Sequence, residues 1–345
     1  MTGVQTCALP IYNKYSESLE YNDAAIREYE KDKFDNFSSF TFATYYVNQN
    51  DYLTGGTKSE DGKTTTYSDA EKAAALKAAK DVADSLTSAG DLDAFDKAIA
   101  ALEINKDKKD AASTKNDVVK YTNIPAVLQK WLADKERKNG EIAVIANETT
   151  TKDADGKETK TVIGYYVVFF QSRNDNMRPL ANVRHLLVKF EGGTTDSSGN
   201  KTYSDAEKSK AKTEAEKYLQ QWKDGKATEE SFIELVKKYS DDGSKEEGGL
   251  FEDIHPESAY VDSFRNWALD TDRKPGDTGV IVSEYGYHVM YYSSDDELTY
   301  RDYMITEELR AADVEKWYDG VLKPATAELK KTNRLNTDML IANIV

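Results

Sequence analysis

The sequence predicts an α+β protein that contains two copies of one unit. The first observation is a repeat, since the heptapeptide TYSDAEK occurs at 66–72 and again, unchanged, at 202–208. The second is that the alignment set by the two heptapeptides also places Trp131 opposite Trp267, far downstream of the repeat. The third is the order of predicted elements in each copy, a strand, three helices and two strands. That order favours an antiparallel sheet flanked by helices over a doubly wound sheet.

Each copy begins with a strand rich in apolar and β-branched residues, at 40–47 and at 183–190. A Gly-rich loop then leads to a long helix that starts after Ser68 in the first copy and after Ser204 in the second. A glutamate follows each serine three residues later, which is the pattern of a capping box. The repeated heptapeptide therefore predicts a helix start.

The remaining elements follow in the same order in both copies. They are a second helix at 91–103 and 228–239, a third helix around Trp131 and Trp267, and closing strands at 141–147 with 162–171 and at 279–283 with 287–292. The first copy also carries an insertion at 149–160 whose threonine-rich arms flank an Asp-Gly step. This pattern predicts a long β-hairpin.

Flanking segments complete the predicted organisation, with helices at 15–33 and 295–332. The segments are an artefact at 1–11, an N-terminal helical segment at 12–38, the first copy at 39–172, a polar linker at 173–182, the second copy at 183–293 and a C-terminal helical segment at 294–345. The first of these, MTGVQTCALPI, reads as a translated sequencing adaptor rather than as protein. We therefore expect the true amino terminus, with any export signal or membrane anchor, to be missing.

Composition excludes several classes of function. The net charge of -16, from 46 basic and 62 acidic residues, would repel a phosphate backbone, so we expect no nucleic-acid partner. Three histidines and one cysteine cannot form zinc-ligand spacing or a disulfide framework, so we expect no metal and no cofactor.

Three motifs occur in order in the second copy. They are VRHLLV at 183–188, FIELVKKYSDD at 232–242 followed by GGLF at 248–251, and PGDTGVIVSEYGYHV at 275–289. Together they resemble the parvulin family of peptidyl-prolyl cis/trans isomerases over almost the whole of 183–293. The resemblance predicts that each copy is a parvulin-like domain, an antiparallel sheet flanked by helices, and that the second copy is the enzyme.

The resemblance also implies roles for four polar residues. His185 and His288 would lie on adjacent central strands and share a hydrogen bond beneath the substrate amide. Asp242 lies where the family carries Cys or Asp beside the rotating carbonyl, and Ser283 lies where a hydroxyl completes the histidine network. These four residues are the predicted catalytic set.

A proline-binding pocket is implied by the same resemblance. Leu250, Tyr260 and Phe264 match its positions, with Tyr260 where Met is usual, so we expect a narrower pocket. The segment GGLFEDI at 248–254 also replaces the commoner Gly-Gly-Asp-Leu-Gly-x-Phe.

The first copy lacks these polar residues and is predicted to be degenerate. Lys106 aligns with Asp242, Tyr166 aligns with His288, and either Thr44 or Tyr45 aligns with His185. We therefore expect a parvulin-like module without catalytic activity, which binds substrate or acts as a spacer.

The expected function is prolyl isomerisation with chaperone activity on unfolded or newly exported polypeptides that contain X-Pro bonds. The resemblance extends to foldases of the PrsA and SurA type. It implies an extracytoplasmic protein that is anchored to a membrane through the missing N-terminal segment. A chaperone that only binds its clients and a cytoplasmic folding helper are the two alternatives.

Overall fold

A computed structural model describes residues 12–153, 155–199 and 201–322. These residues belong to two compact units, of which one spans 20–176 and the other combines 12–19 with the residues from 177 onwards. The predicted artefact at 1–11 and the last part of the predicted C-terminal segment, 323–345, lie outside the described residues.

The elements of the two units repeat in the same order. Up to residue 176 they are α1 (12–17), α2 (Asp23–Glu30), β1 (Ser39–Asn48), β2 (Thr57–Lys58), β3 (Thr65–Thr66), α3 (Asp69–Ser85), α4 (Leu92–Ala100), β4 (Thr114–Lys120), α5 (Ala126–Leu132), β5 (Ile142–Lys152) and β6 (Glu158–Asn174). From residue 177 they are β7 (Pro179–Lys189), β8 (Thr194–Thr195), β9 (Lys201–Thr202), α6 (Asp205–Lys223), α7 (Glu229–Tyr239), β10 (Leu250–Ile254), α8 (Asp262–Ala268), β11 (Thr278–Val282), β12 (Gly286–Thr299) and α9 (Tyr300–Trp317).

Each unit contains a four-stranded antiparallel sheet of the same topology. The strand order is β4-β1-β6-β5 in the first and β10-β7-β12-β11 in the second. The opening and the last strand of each copy are therefore the two central strands. The predicted α+β class, with two copies of one antiparallel unit and helices at both ends, is confirmed.

Strand register identifies the residue of the first copy that corresponds to His185. His185 pairs with Met290, the fifth residue of the GYHVM segment that starts at Gly286. Thr44 pairs with Val168, the fifth residue of the matching GYYVV segment that starts at Gly164. Thr44, and not Tyr45, therefore occupies the position of His185 in the first sheet.

The repeated heptapeptide starts a helix in both units for the predicted reason. The side chain of Ser68 accepts a hydrogen bond from the Glu71 amide, and the Glu71 carboxylate accepts one from the Ser68 amide. Ser204 and Glu207 form the same capping box at the start of α6. Caps of this kind contribute about 1 kcal/mol each to helix stability.

The second sheet is covered on both faces. One face packs against α6 and α7 through a cluster that includes Leu186, Val188, Trp222, Phe232 and Val289. The other face packs against α8 through a cluster that includes Val183, Ile254, Phe264, Trp267 and Met290. Because successive residues of a strand alternate between faces, His185 points to the same side as Val183 and faces α8.

The helix predicted at 15–33 is divided into α1 and α2. Asn22 adopts an extended backbone, and its side chain accepts a hydrogen bond of 2.9 Å from the Ala25 amide. This interaction starts a new helix at Asp23, so the long helix of the prediction is wrong.

Two other predicted boundaries are corrected because strands continue further than expected. The linker at 173–182 is reduced to 175–178, since β6 reaches Asn174 and β7 begins at Pro179. The C-terminal helix begins at Tyr300 rather than at 295, because β12 extends to Thr299, whose side chain caps α9. The hairpin predicted at 149–160 is present as the paired ends of β5 and β6.

Candidate active site

Two buried histidines meet on the central strands of the second sheet. On β7 and β12, His185 lies opposite Met290 and His288 opposite Leu187, so the two imidazoles are diagonal neighbours on one face. Their Nδ1 atoms are 2.9 Å apart, and the rings are stacked with centroids 5.1 Å apart. One Nδ1 therefore donates a hydrogen bond to the other.

A serine fixes the direction of this hydrogen bond. Ser283 Oγ lies 2.7 Å from His288 Nε2, and it also accepts a hydrogen bond of 3.1 Å from the Tyr285 amide. Its own hydrogen is then available to donate to His288 Nε2. We assign the proton of His288 to Nδ1, from which it is donated to His185, and the proton of His185 to Nε2. Ser283, His288 and His185 thus form one hydrogen-bonded chain.

Asp242 lies at the outer end of this chain. Its carboxylate caps the short 3₁₀ helix at Gly243–Glu247 by accepting hydrogen bonds from the Ser244 amide (2.9 Å) and hydroxyl (2.6 Å). The same oxygen, Oδ1, is 3.4 Å from His185 Nε2, which is longer than an ordinary hydrogen bond. The pKa of Asp242 is well below its usual range because His185, and to a smaller extent Ser244, stabilise the carboxylate. Burial acts in the opposite direction but does not outweigh them. The group is an anion at neutral pH.

The outer nitrogen of His185 has no firm partner. Among the described residues, Nε2 makes no hydrogen bond, although His185 is only 2% exposed. A buried polar atom without a partner is costly and is often found at functional sites. The polar group nearest to it is the Asp242 carboxylate, 3.4 Å away, so its N–H group points toward that anion.

The second histidine of the pair is held neutral. Burial, and then the neighbouring His185, lower the pKa of His288 to about 4 from an ordinary value of 6.5, while Asp242 opposes the shift. A neutral ring can donate through Nδ1 and accept through Nε2, as the assigned hydrogen bonds require.

We expect folding stability to rise with pH between about 4 and 6.5 because of His288. Over this interval the unfolded chain binds a proton on His288 that the folded chain does not bind, so lower pH favours unfolding. The free energy of unfolding should change by about 3 kcal/mol over the whole interval. It is measured by urea unfolding of the wild type and of His288→Gln across this pH range. A pH dependence of the same size in the variant would show that other groups cause it.

Gly249 lets the β10 backbone approach the strand that carries His185. It has a φ of +67°, and a Cβ added there would lie 2.2 Å from the His185 carbonyl oxygen. The Gly249 carbonyl in turn accepts the hydrogen bond of the His185 amide at 2.9 Å. Glycine is therefore required for the position of His185 in this sheet.

We expect Gly249→Ala to lower the free energy of unfolding by about 2–5 kcal/mol, from the left-handed backbone and the overlap together. Gly243→Ala is the matched control, because Gly243 has no positive φ and its added Cβ meets no described atom within 4 Å. The control should change stability by roughly 0.5 kcal/mol or less. Equal effects of the two changes in a denaturant titration would refute the close-approach argument.

Three aromatic rings lie beside the histidines on the α8 side of the sheet. We call Phe251, Tyr260 and Phe264 the aromatic floor; their centroids are 5.4–5.5 Å apart. His185 makes edge contacts with Phe251 and Phe264 at 4.9 and 5.3 Å. The floor and the hydrogen-bonded chain therefore border one site.

The structure brings together six of the seven predicted site residues. Leu250 is the exception, because it precedes Phe251 on β10 and so points to the opposite face, across from Arg184. Phe251 was missed, although a signal was present: aligning GGLFEDI column by column with Gly-Gly-Asp-Leu-Gly-x-Phe places Phe251, not Leu250, at the apolar Leu position.

The equivalent region of the first unit is built differently. The sequence contains no histidine between residues 20 and 176, so neither position can carry the pair. Tyr166, the counterpart of His288, packs against Tyr46 with centroids 4.8 Å apart. Lys106, the counterpart of Asp242, is exposed and pairs with Glu103.

A cavity of about 140 Å³ lies near the second sheet but does not contain the histidine pair. Val188, Ala211, Tyr218 and Asp241 are among its lining residues, and the first three belong to the core on the α6 side. No group of three or more His, Cys, Asp or Glu side chains within the described ranges could hold a metal ion.

Residues 185–294 match the family described as "Rotamase: PPIC-type PPIASE domain". The match covers about a third of the chain and all four residues of the predicted catalytic set. The second copy therefore matches a PPIC-type peptidyl-prolyl isomerase domain, and the predicted resemblance to the parvulin family is confirmed for this part of the chain.

Solved structures similar to this chain include the peptidyl-prolyl isomerase PrsA of Bacillus anthracis, with 24% identity and a TM-score of 0.27 over 47% of this chain and 64% of that one. PrsA of Bacillus cereus has the same identity and TM-score over 47% and 53%. A SurA-like chaperone of Campylobacter jejuni has 20% identity and a TM-score of 0.26 over 46% and 56%. The chain thus covers less than two thirds of each of these relatives. No curated protein sequence matches it.

Proposed function

We propose that the second copy catalyses cis/trans isomerisation of X-Pro bonds in unfolded or newly exported polypeptides, and that the whole chain acts as a chaperone for them. The observation that carries this proposal is the hydrogen-bonded chain of Ser283, His288 and His185 beside the aromatic floor, within a PPIC-type domain.

The reaction requires no covalent intermediate. Rotation about an X-Pro bond has a barrier of about 18–20 kcal/mol because the amide loses resonance as it twists. A catalyst must bind the twisted amide more tightly than the planar one. It needs an apolar surface for the proline ring and polar groups around the carbonyl that rotates.

The aromatic floor supplies the apolar surface. Phe264 is buried, whereas Phe251 and Tyr260 are partly exposed, so a proline ring can pack on the two accessible rings above Phe264. We place Phe251 in this role together with the predicted Tyr260 and Phe264. Leu250 lies on the other face of β10 and is not part of this surface.

The polar groups lie where the carbonyl would turn. The Asp242 side chain is 27% exposed and can lie beside the carbonyl, and the buried His185 Nε2 is 3.4 Å behind it. An anion beside the planar amide disfavours its partly negative oxygen and so favours the twisted amide, in which the oxygen carries less negative charge. Ser283 and His288 act by holding His185 in the donating tautomer.

The clients and the location of the protein follow from the same proposal. Unfolded chains expose X-Pro bonds and apolar residues, and an extracytoplasmic foldase would meet them after export. No helix in the described part of the chain is long and apolar enough to cross a lipid bilayer.

The experiment that tests this function is a protease-coupled isomerase assay of the full chain with Xaa-Pro peptides. We expect activity in the wild type and unchanged kcat/KM in Lys106→Ala/Tyr166→Ala, because the first copy has no histidine pair. Wild-type chain that suppresses aggregation of an unfolded client without accelerating isomerisation would instead identify a binding-only chaperone.

A further inference from the structure

Strand β7 has an outer edge that β10 covers only in part. The ladder between them ends at Arg184, and the last backbone bond to the β10 segment is the one from the His185 amide to the Gly249 carbonyl. Alternate residues of a strand direct their N–H groups to the same edge. Leu187 and Lys189 therefore need other partners on this side of β7.

The segment that follows α7 provides these partners. The Leu187 amide donates to Ser240 Oγ at 3.1 Å, and the Leu187 carbonyl accepts from the Asp241 amide at 2.9 Å. The Lys189 amide donates to Asp241 Oδ2 at 3.0 Å. Ser240 and Asp241 thus continue the edge of the sheet with one backbone and two side-chain groups.

The same serine also reaches the proposed catalytic carboxylate. Ser240 Oγ accepts a second hydrogen bond, of 3.2 Å, from the Asp242 amide, and the residue is only 3% exposed. A single buried hydroxyl therefore joins the strand that carries His185 to the backbone of Asp242.

We propose that Ser240, supported by Asp241, is a positioning residue that sets the Asp242 carboxylate beside His185. This inference rests on the proposed isomerase function of the site. Ser240 is the last residue before the loop that carries Asp242, so a shift of its hydroxyl away from Leu187 moves the carboxylate relative to the imidazole. Asp241 holds the same loop from the exposed side.

The test uses steady-state isomerase kinetics of the full chain. Ser240→Ala should lower kcat about tenfold with KM changed less than about twofold, because the loss falls on the twisted amide and not on the aromatic floor. Thr228→Ala is the matched control, since Thr228 caps the other end of α7 and does not contact Asp242. It should lower the melting temperature without changing kcat at a temperature where the protein is folded.

A double variant separates positioning from general destabilisation. If Ser240 acts through Asp242, Ser240→Ala should cause no further loss of kcat in an Asp242→Ala background. An equal loss in both backgrounds would overturn the proposal. If Ser240→Ala does not fold, Asp241→Ala carries the same cycle, because the Asp241 side chain is exposed and its loss removes one hydrogen bond.

A readout without turnover distinguishes this inference from the proposed function. In an NMR titration, Ser240→Ala and Asp242→Ala should both lower the pKa of His288, since each removes or displaces the anion that raises it. An unchanged titration in Ser240→Ala would overturn the positioning role. If both variants move the titration but Asp242→Ala keeps wild-type kcat, the positioning stands and the proposed catalytic role of Asp242 is refuted.

Discussion

Phe264→Ala is expected to lower kcat/KM by roughly one to two decades. Phe264 is 3% exposed and contacts Phe251, Tyr260 and both histidines, so its removal takes away the support beneath the two rings on which the proline ring would pack. Burial of such a contact is worth about 1.5–3 kcal/mol, which sets the size of the effect. Peptide binding should weaken, so the change should appear in KM as well as in kcat.

Phe232→Ala is the control for the stability that this change also costs. Phe232 is fully buried on the other face of the sheet, in the cluster that packs against α6 and α7. Loss of either ring should destabilise the fold by about 3–5 kcal/mol. The kinetics are compared at a low temperature where circular dichroism shows both variants folded. Equal losses of kcat/KM would mean that Phe264 supports only the core.

Most of the fold was predicted from the repeat and from its capping boxes. Ser68 and Ser204 are local signals, because a capping box depends on residues three apart and is not altered by distant packing. The central strands were also predictable, since their apolar runs are buried on both faces. Their pairing then follows from the antiparallel order.

The edge strands β4 and β10 were not predicted, and their sequences explain why. Strand β4 is TKNDVVK, which is mostly polar, and Val118 within it has a φ of +50°. Strand β10 is short, its register shifts between Phe251 and Ile254, and Asp253 has a φ of +55°. Such segments lack the alternation that identifies a strand, and only the neighbouring strand makes them extended.

The site residues also differ in whether the local sequence or a distant contact reveals their role. His185, His288, Asp242 and Ser283 could be placed by resemblance because each lies within a recognisable motif. Ser240 belongs to the same SDD segment, but its role depends on a hydrogen bond to Leu187, which is distant in sequence. The capping role of Asp242 likewise depends on the 3₁₀ helix that its own carboxylate starts.

We propose that the second copy catalyses the reaction and that the first copy does not. Asp242 and His288 lie at different points of one polar arrangement, the former beside His185 Nε2 and the latter bonded to Ser283 and to His185 Nδ1. Removing both side chains eliminates the anion and the support for the donating tautomer. Losses of preorganised groups of this kind typically cost about 10²–10³-fold in kcat.

The most direct measurement is therefore the isomerase activity of the full chain carrying Asp242→Ala and His288→Ala, beside the matched first-copy variant Lys106→Ala/Tyr166→Ala. Both proteins must give cooperative thermal unfolding, so that folding is not the difference between them. We expect kcat/KM to fall by roughly two decades or more in the second-copy variant and to stay at the wild-type value in the first-copy variant. Near wild-type activity in the second-copy variant would contradict the assignment of the catalytic site to residues 183–293.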